Sequence, residues 1–258
     1  MKTEDPRYRL PYNIGWRRWI RPPLKVVFRG LFHALFRFTV EGRENVPRAG
    51  SYLVIYNHVS FLDPPFLLAE WPTWLEAVAA SDVLRRPAQA PLVWLYGVIP
   101  VDRGKPDRRF LDYVVAVLHE GYPIAFAPEG TRSHTPGMRR AWTGLAYIAD
   151  RAGVPIVPVG MAGTEDEAVH RALRLQRPPV HIRIGKPFRL PPLEAWPVPR
   201  KQARRLNTDL AMYRVAALLP PPYRGVYDDS KGMEIAQALG LDTTAVPAPP
   251  SAIPLPSS

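Results

Sequence analysis

A histidine and an aspartate lie close together in this chain, directly after a short apolar run, and their side chains could form an oriented general base. The run, residues 52–56, has the bulky and partly β-branched composition of a buried strand. His58 follows this run, and Asp63 precedes two prolines, which favour the first turn of a helix. The pattern therefore predicts that Asp63 is the N-cap of a helix over residues 64–70.

If the chain turns between these two residues, Asp63 can bind one ring nitrogen of His58 and leave the other nitrogen to a substrate. Such a base removes a proton from a hydroxyl group without needing a serine or cysteine nucleophile of its own. The alternative is structural: Asp63 only caps the helix, and His58 is a loop histidine with local hydrogen bonds. This stretch by itself is compatible with both interpretations.

Two further polar clusters also follow apolar segments. Asp102 and Arg103 end one segment, and Glu129 and Arg132 end another. Guanidinium groups bind phosphate through paired, charge-assisted hydrogen bonds, whereas a carboxylate repels it. We therefore expect the arginines to bind an anion and Glu129 to hold a hydroxyl group or to orient Arg132. The alternatives are a turn ion pair for the first cluster and a surface ion pair for the second.

Apolar runs alternate with amphipathic segments along the chain, which predicts an α/β fold. We expect a mixed, largely parallel central sheet flanked by helices, with the polar clusters at the carboxyl ends of its strands. The predicted strands are residues 37–42, 52–56, 73–80, 97–103, 122–127, 154–159 and 180–184. The predicted helices are residues 24–38, 64–70, 83–86, 91–96, 107–120, 138–152 and 199–219.

The first predicted helix is amphipathic. Lys25, Arg29, His33 and Arg37 recur every four residues and form one polar stripe. Large apolar side chains crowd the opposite face: Leu24, Val27, Phe28, Leu31, Leu35 and Phe38. A basic stripe with an aromatic-rich face predicts a helix in a membrane interface. The alternative is an ordinary amphipathic helix packed on its own domain, and the two interpretations are compatible.

The composition limits the classes of partner. The 258 residues include 34 Lys and Arg against 23 Asp and Glu, a formal net charge of +11 that favours anionic partners. Cysteine is absent, which excludes disulfides, Cys-ligated zinc and a thiol nucleophile. We expect no signal peptide and no transmembrane helix. The predicted organisation is a membrane-interface segment (1–37), a catalytic α/β domain (38–240) and a disordered Pro-rich tail (241–258).

Four sequence blocks in order resemble the glycerolipid acyltransferases, the group that contains 1-acyl-sn-glycerol-3-phosphate acyltransferase. The resemblance covers about residues 38–165. The blocks are Asn57-His58-x4-Asp63, Gly97-x-Ile99-Pro100-Val101-x-Arg103, Pro128-Glu129-Gly130-Thr131-Arg132-Ser133 and Val154-Pro155-Ile156-Val157-Pro158-Val159. Ala127 stands where the family often has phenylalanine, and the loop after Arg103 is individual to this chain.

The resemblance implies that His58 deprotonates an acceptor hydroxyl and that Asp63 orients His58. The hydroxyl oxygen would attack the thioester of acyl-CoA or acyl-carrier protein directly, without an acyl-enzyme intermediate. The resemblance also implies five substrate-binding positions. Arg103 and Arg132 would bind the acceptor phosphate, and Glu129 would hold its glycerol hydroxyls. Gly130 and Thr131 belong to the same turn as Glu129.

The expected activity is acyl transfer to lysophosphatidic acid, giving phosphatidic acid in phospholipid biosynthesis, with no metal or redox cofactor. We expect peripheral association with the cytoplasmic face of the cell membrane and no nucleic-acid partner. A close alternative is another lysophospholipid, glycolipid or amino-acid lipid as acceptor. A hydrolase is disfavoured because the Gly-x-Ser-x-Gly elbow is missing. A non-catalytic lipid- or nucleic-acid-binding protein would leave the ordered polar blocks unexplained.

Overall fold

A computed structural model describes residues 7–87, 89–104, 107–133 and 136–228 of the chain. The predicted tail over residues 241–258 lies outside the described residues. The strands are β1 (Arg37–Glu41), β2 (Leu53–Tyr56), β3 (Glu76–Ala80), β4 (Ile99–Val101), β5 (Ile124–Phe126), β6 (Ile156–Ala162) and β7 (Pro179–Ile184). The α-helices are α1 (Arg17–Leu35), α2 (Asp63–Glu70), α3 (Ala90–Tyr96), α4 (Arg108–His119), α5 (Gly144–Ala152), α6 (Asp166–Leu173), α7 (Arg200–Ala216) and α8 (Pro221–Arg224).

The strands of the described part form one sheet of seven strands in the order β1-β7-β6-β2-β5-β3-β4. Its neighbours are parallel except for β6 and β7, which are antiparallel. The predicted fold class, a mixed and largely parallel sheet flanked by helices, is therefore confirmed. Because β2 and β5 are parallel neighbours, the residues that follow them meet at the same edge of the sheet.

Both faces of the sheet are buried, as the continuous apolar strands predict. In β2, Leu53 and Ile55 contribute to one apolar cluster, together with side chains of α4, α5 and α7. Val54 and Tyr56 point the other way and join a second cluster with side chains of α1 and α2. This alternation follows from the two-residue period of a strand and holds β2 rigidly between two packed layers.

One predicted helix is wrong in its first half. Of residues 138–152, only α5 is helical. The residues before α5 use their N–H groups elsewhere: Arg139 donates to Glu129 Oε2 at 2.6 Å, and Ala141 donates to the Tyr227 hydroxyl at 3.0 Å. An N–H group bonded to a distant side chain cannot bond within a helix, so tertiary contacts override the local pattern. Conversely, α6 has no counterpart among the predicted helices.

The first helix packs on the protein through part of its predicted apolar face. Its cationic stripe lies on the flank of the helix, where the Arg29 and His33 side chains are 51% and 43% exposed and still reach the protein. The Lys25 ammonium donates to the Trp71 carbonyl, Arg29 Nε lies 3.1 Å from Glu70 Oε1, and His33 Nε2 lies 2.7 Å from the same oxygen. Arg37 is outside the helix, in β1. Of the apolar side chains of α1, Phe28, Phe32 and Leu35 pack in the second apolar cluster, whereas Trp19, Val26, Val27 and Leu31 are exposed.

Glu70 is a buried carboxylate at the end of α2, and Arg29 and His33 both bond to it. Arg43 also donates to Glu70, to Oε2 from its side chain. Burial works to raise the pKa of Glu70, but the hydrogen bond from His33 and the charges of Arg29 and Arg43 outweigh burial and lower that pKa. Glu70 therefore stays ionised and ties α1 to α2, the helix that begins with Asp63.

A second buried carboxylate, Glu76, anchors the start of α1. Arg21 donates to both of its oxygens, at 2.6 and 2.8 Å, and the Arg21 side chain is 1% exposed. The Tyr12 hydroxyl also donates to Glu76, and Arg21 Nε donates to the Tyr96 carbonyl at 2.9 Å. Each side-chain nitrogen of Arg21 and each carboxylate oxygen of Glu76 therefore has a hydrogen-bond partner, which a buried ion pair requires.

None of the helices in the described part of the chain has both the length and the apolar composition of a membrane span.

We predict that Glu76→Ala lowers the free energy of unfolding by about 3–5 kcal/mol, because it leaves the Arg21 cation buried without a partner. Urea unfolding followed by circular dichroism measures this loss. The matched control is Asp82→Ala, which breaks an exposed pair with Arg86 and should cost less than about 1 kcal/mol. Equal losses for the two variants would contradict an anchoring role for Glu76.

Candidate active site

His58 and Asp63 form a hydrogen-bonded pair at the carboxyl end of β2. His58 Nδ1 lies 2.9 Å from Asp63 Oδ2, and Asp63 is completely buried whereas the His58 side chain is 12% exposed. An ionised carboxylate can only accept hydrogen bonds, so the proton of this bond is on Nδ1 and the free lone pair is on Nε2. Nε2 makes no hydrogen bond within the described residues. This is the arrangement of an oriented base.

Asp63 holds the turn as well as the histidine. The same Oδ2 atom accepts from the backbone N–H groups of Val59 and Ser60, each at 2.7 Å. The predicted N-cap role is wrong: Asp63 is the first residue of α2, and Leu62 is the N-cap, without a side-chain bond to the helix. The carboxylate faces back into the preceding loop because three donors converge on it there. One atom thus fixes both the loop and the tautomer of His58.

Asn57 clamps the start of this loop to the neighbouring strand. Its side-chain amide donates to the Met161 carbonyl and accepts from the Met161 N–H, both at 2.8 Å, in a fully buried position. No role is predicted for Asn57 from the sequence, although its place between a buried strand and His58 is a usable signal. The two bonds fix the end of β2 against β6, so His58 leaves the sheet in a defined direction.

Glu129 is joined to the dyad through backbone atoms. It is 2% exposed, its Oε1 accepts from the His58 N–H at 2.9 Å, and its Oε2 accepts from the Arg139 N–H at 2.6 Å. The next turn returns to the same place, because the Ser133 N–H donates to the His58 carbonyl at 2.8 Å. The backbone of His58 is therefore held on both sides by the loop that follows β5. The predicted contact of Glu129 with substrate hydroxyls stays a prediction.

Gly130 and Thr131 form the tight turn beside Glu129. Gly130 has φ +73°, and an added Cβ would lie 2.9 Å from Trp142 Nε1, so only glycine suits this position. Arg132 extends to the surface, where its Nη1 lies 3.3 Å from Asp166 Oδ1. The Asp166 side chain is 59% exposed, and such an ion pair exchanges easily for another anion.

Arg103 lies farther from the dyad. It follows β4, which is three strand positions from β2 in the sheet, and this corresponds to roughly 14 Å at the usual spacing between strands. Its side chain is exposed. Its neighbour Asp102 pairs with Arg7 at 2.8 Å. The structure thus brings Glu129 and Arg132 next to His58 and leaves Arg103 on the same edge at a distance.

The arrangement provides one base with an accessible nitrogen, set in a rigid loop, and a guanidinium group on the adjacent turn. It can accept a proton from a hydroxyl group and hold an anionic substrate nearby. No group of three or more His, Asp or Glu side chains in the described residues is placed to hold a metal ion.

Comparison with known proteins agrees with the family resemblance that the sequence blocks indicate. Residues 37–162 match the model of the acyltransferase family, described as Acyltransferase, and this range contains every residue of the dyad and of the Glu129 loop. Residues 37–162 form an acyltransferase-family region. This region runs from β1 to the end of β6, which is the part of the sheet that positions His58.

Individual acyltransferases are similar over more of the chain. The 1-acyl-sn-glycerol-3-phosphate acyltransferase alpha of Ovis aries is 27% identical over 181 residues, 69% of this chain and 63% of that protein. A 1-acyl-sn-glycerol-3-phosphate acyltransferase of Chlamydomonas reinhardtii is 31% identical over 195 residues, 74% of this chain and 55% of that protein. The chain thus spans less than two thirds of the length of these curated relatives.

A solved structure shares the acyltransferase fold. The crystal structure of the 1-acyl-sn-glycerophosphate (LPA) acyltransferase PlsC from Thermotoga maritima matches with a TM-score of 0.54 and 21% identity. The match covers 74% of this chain and 78% of that chain. The sheet and helices described above are therefore the fold of a known acyltransferase.

The buried position of Glu129 predicts an unusual pH dependence of stability. Burial raises the pKa of Glu129 to about 7, although the N–H groups of Arg139 and His58 favour its ionised form. An unfolded Glu has a pKa of about 4.3, so between these values the folded state binds more protons than the unfolded state. Proton binding by Glu129 therefore stabilises the folded state. This stabilisation is fully present below about pH 4.3 and is lost as the pH rises through about 7.

We therefore expect the free energy of unfolding of the wild type to fall by on the order of 3 kcal/mol, relative to that of Glu129→Gln, between pH 4 and pH 8. The variant carries no titrating group at this position, so all other carboxyl groups cancel in the comparison. Urea unfolding at several pH values measures the difference. Parallel curves for the two proteins would show that Glu129 titrates normally.

Proposed function

We propose that this acyltransferase moves a fatty acyl group from a thioester donor, acyl-CoA or acyl-carrier protein, to the free hydroxyl of lysophosphatidic acid. The product would be phosphatidic acid, a step of phospholipid biosynthesis. The His58–Asp63 pair carries this proposal, because Nε2 is a base with no partner in the described protein and its other nitrogen is fixed at 2.9 Å from a buried carboxylate. The relatives named for this activity support the choice of acceptor.

The proposed mechanism is a direct transfer. His58 Nε2 takes the proton of the acceptor hydroxyl while the oxygen attacks the thioester carbonyl carbon. Asp63 stabilises the imidazolium that forms and keeps the ring in position. When the tetrahedral intermediate collapses, the new C–O bond remains, the C–S bond breaks, and the thiolate takes the proton from Nε2. Holding both substrates beside one base contributes through proximity.

Arg132 is the proposed anchor for the acceptor phosphate. It extends from the turn that also holds the His58 backbone, and its bond to the exposed Asp166 can be replaced by a bidentate phosphate contact. Arg103 lies on the same sheet edge and is proposed to contact the acceptor farther from the reacting hydroxyl. Gly130 and Thr131 complete the turn beside the acceptor, and Glu129 is proposed to seat its glycerol hydroxyls.

The decisive experiment is a thiol-release assay with a long-chain acyl-CoA and lysophosphatidic acid, together and separately. We expect thiol release that requires both substrates, and a decrease of at least about 100-fold in His58→Ala, because a positioned base contributes about 10²–10⁴-fold. Circular dichroism should show that the variant remains folded.

The other outcomes identify the alternatives. Thiol release without acceptor would indicate a hydrolase. Transfer to another lysophospholipid, a glycolipid or an amino-acid lipid, but not to lysophosphatidic acid, would correct the acceptor. Near-normal transfer in His58→Ala would remove the catalytic assignment.

The outer face of α1 supports membrane association. Trp19, Val26 and Val27 are 70%, 72% and 63% exposed, and they lie on the side of α1 away from Phe28 and Phe32, which pack on the protein. Such a face is costly in water and suits the boundary of lipid headgroups and acyl chains. The formal net charge of +11 adds attraction to the anionic lipids of the cytoplasmic leaflet. We therefore propose peripheral association with the cytoplasmic face of the cell membrane.

We predict that the double variant Trp19→Glu/Val27→Glu pellets with anionic vesicles at least about tenfold less well than the wild type, because it places charge on the buried side of an interfacial helix. Leu173→Glu is the control, since Leu173 is 71% exposed but lies on α6. Equal weakening by the control would show that added negative charge, rather than the α1 face, explains the loss.

A further inference from the structure

A cavity of about 530 Å³ lies beside the dyad and has no role in the mechanism above. Its lining residues are Ser133, Gly137, Met138, Arg139, Arg140, Gly225 and Val226. Ligand pockets for small molecules have volumes of roughly 300–1,000 Å³, so a nucleotide-sized group fits this one.

The wall of the cavity is built by specific backbone contacts. The Met138 N–H donates to the Tyr223 carbonyl at 3.0 Å, and the Val226 N–H donates to the Met138 carbonyl at 3.1 Å. Gly225 has φ +53°, and a Cβ there would lie 2.2 Å from the Met138 carbonyl oxygen. The turn after α8 can approach the segment before α5 only because this residue is glycine. The cavity is thus a fixed feature of the fold.

The cavity carries an uncompensated positive charge. Arg139 and Arg140 are exposed, and neither guanidinium group pairs with a carboxylate of the described residues, whereas Arg132 pairs with Asp166. None of the lining residues is acidic. Two adjacent guanidinium groups in a concave wall without acids suit phosphate groups.

The cavity is connected to the backbone of His58 by short links. Glu129 bridges the N–H groups of Arg139 and His58 at 2.6 and 2.9 Å, so a single carboxylate separates the cavity wall from the dyad backbone. Ser133 lines the cavity and donates its N–H to the His58 carbonyl at 2.8 Å. A ligand held here by its phosphates could extend a flexible arm to His58.

We propose that this cavity binds the nucleotide end of acyl-CoA, with Arg139 and Arg140 holding its phosphate groups. The pantetheine arm then carries the thioester toward His58, while the acceptor is held on the Arg132 side. A concave pocket of this size favours a nucleotide over the surface of a carrier protein. This inference rests on the proposed function for its choice of ligand, but its test requires no turnover.

The experiment is calorimetric titration of the full chain with CoA and with 3′-dephospho-CoA. We expect Arg139→Gln/Arg140→Gln to raise the Kd for CoA at least about tenfold, because charge-assisted hydrogen bonds to phosphate are the strong class. The control Arg48→Gln/Arg85→Gln removes the same charge from exposed positions elsewhere and should leave the Kd within about twofold of the wild type. Loss of the 3′-phosphate should weaken binding to the wild type more than to the double variant.

A second variant tests the cavity rather than its charge. Val226→Trp should fill the space and weaken CoA binding while both arginines remain. Wild-type CoA affinity in the arginine variant, or equal weakening by the control, would overturn the proposal. If the arginine variant has a raised KM for lysophosphatidic acid and an unchanged KM for acyl-CoA, the cavity binds the acceptor instead. If only the KM for an acyl-carrier protein is raised, the cavity binds that donor. CoA binding without any transfer would leave this site intact and refute only the proposed function.

Discussion

The dyad depends on one buried oxygen atom, Asp63 Oδ2, which accepts from His58 Nδ1 and from two backbone N–H groups of the intervening loop. Desolvating a carboxylate is expensive unless donors surround it, and here the loop supplies them to Oδ2, whereas the buried Oδ1 has no hydrogen-bond partner among the described residues. The bonds bend the chain between β2 and α2 and at the same time leave Nε2 of His58 as the accepting nitrogen. The geometry of the proposed base and the local fold therefore depend on the same bonds.

Buried carboxylates perform a related task away from the dyad. Glu129 joins the His58 backbone to the segment before α5, and Glu70 and Glu76 draw the cations of α1 inward. Phe28 and Phe32 of α1 also pack on the protein, whereas Trp19, Val26 and Val27 remain exposed. Because Glu70 ends the helix that Asp63 begins, the proposed membrane face and the dyad are attached to the same short helix.

The arginines of this protein differ in the partners that they have. Arg21 is buried and fully bonded to Glu76, so its role is structural. Arg132 has an exposed and exchangeable partner near the dyad, while Arg139 and Arg140 line a cavity without acids. In a protein with a net charge of +11, the pairing of each arginine is therefore more informative than the total.

The sequence by itself determined the α/β class and indicated the pairing of His58 with Asp63, because strand burial and the spacing of these two residues are local patterns. Tertiary structure decided the rest. That the polar stripe of α1 also binds the protein depended on Glu70, a distant acid that no helical period reveals. The segment before α5 is not helical, contrary to the prediction, because the N–H of Arg139 donates to Glu129. Local propensity is compatible with several arrangements of these segments, and long-range hydrogen bonds stabilise one of them.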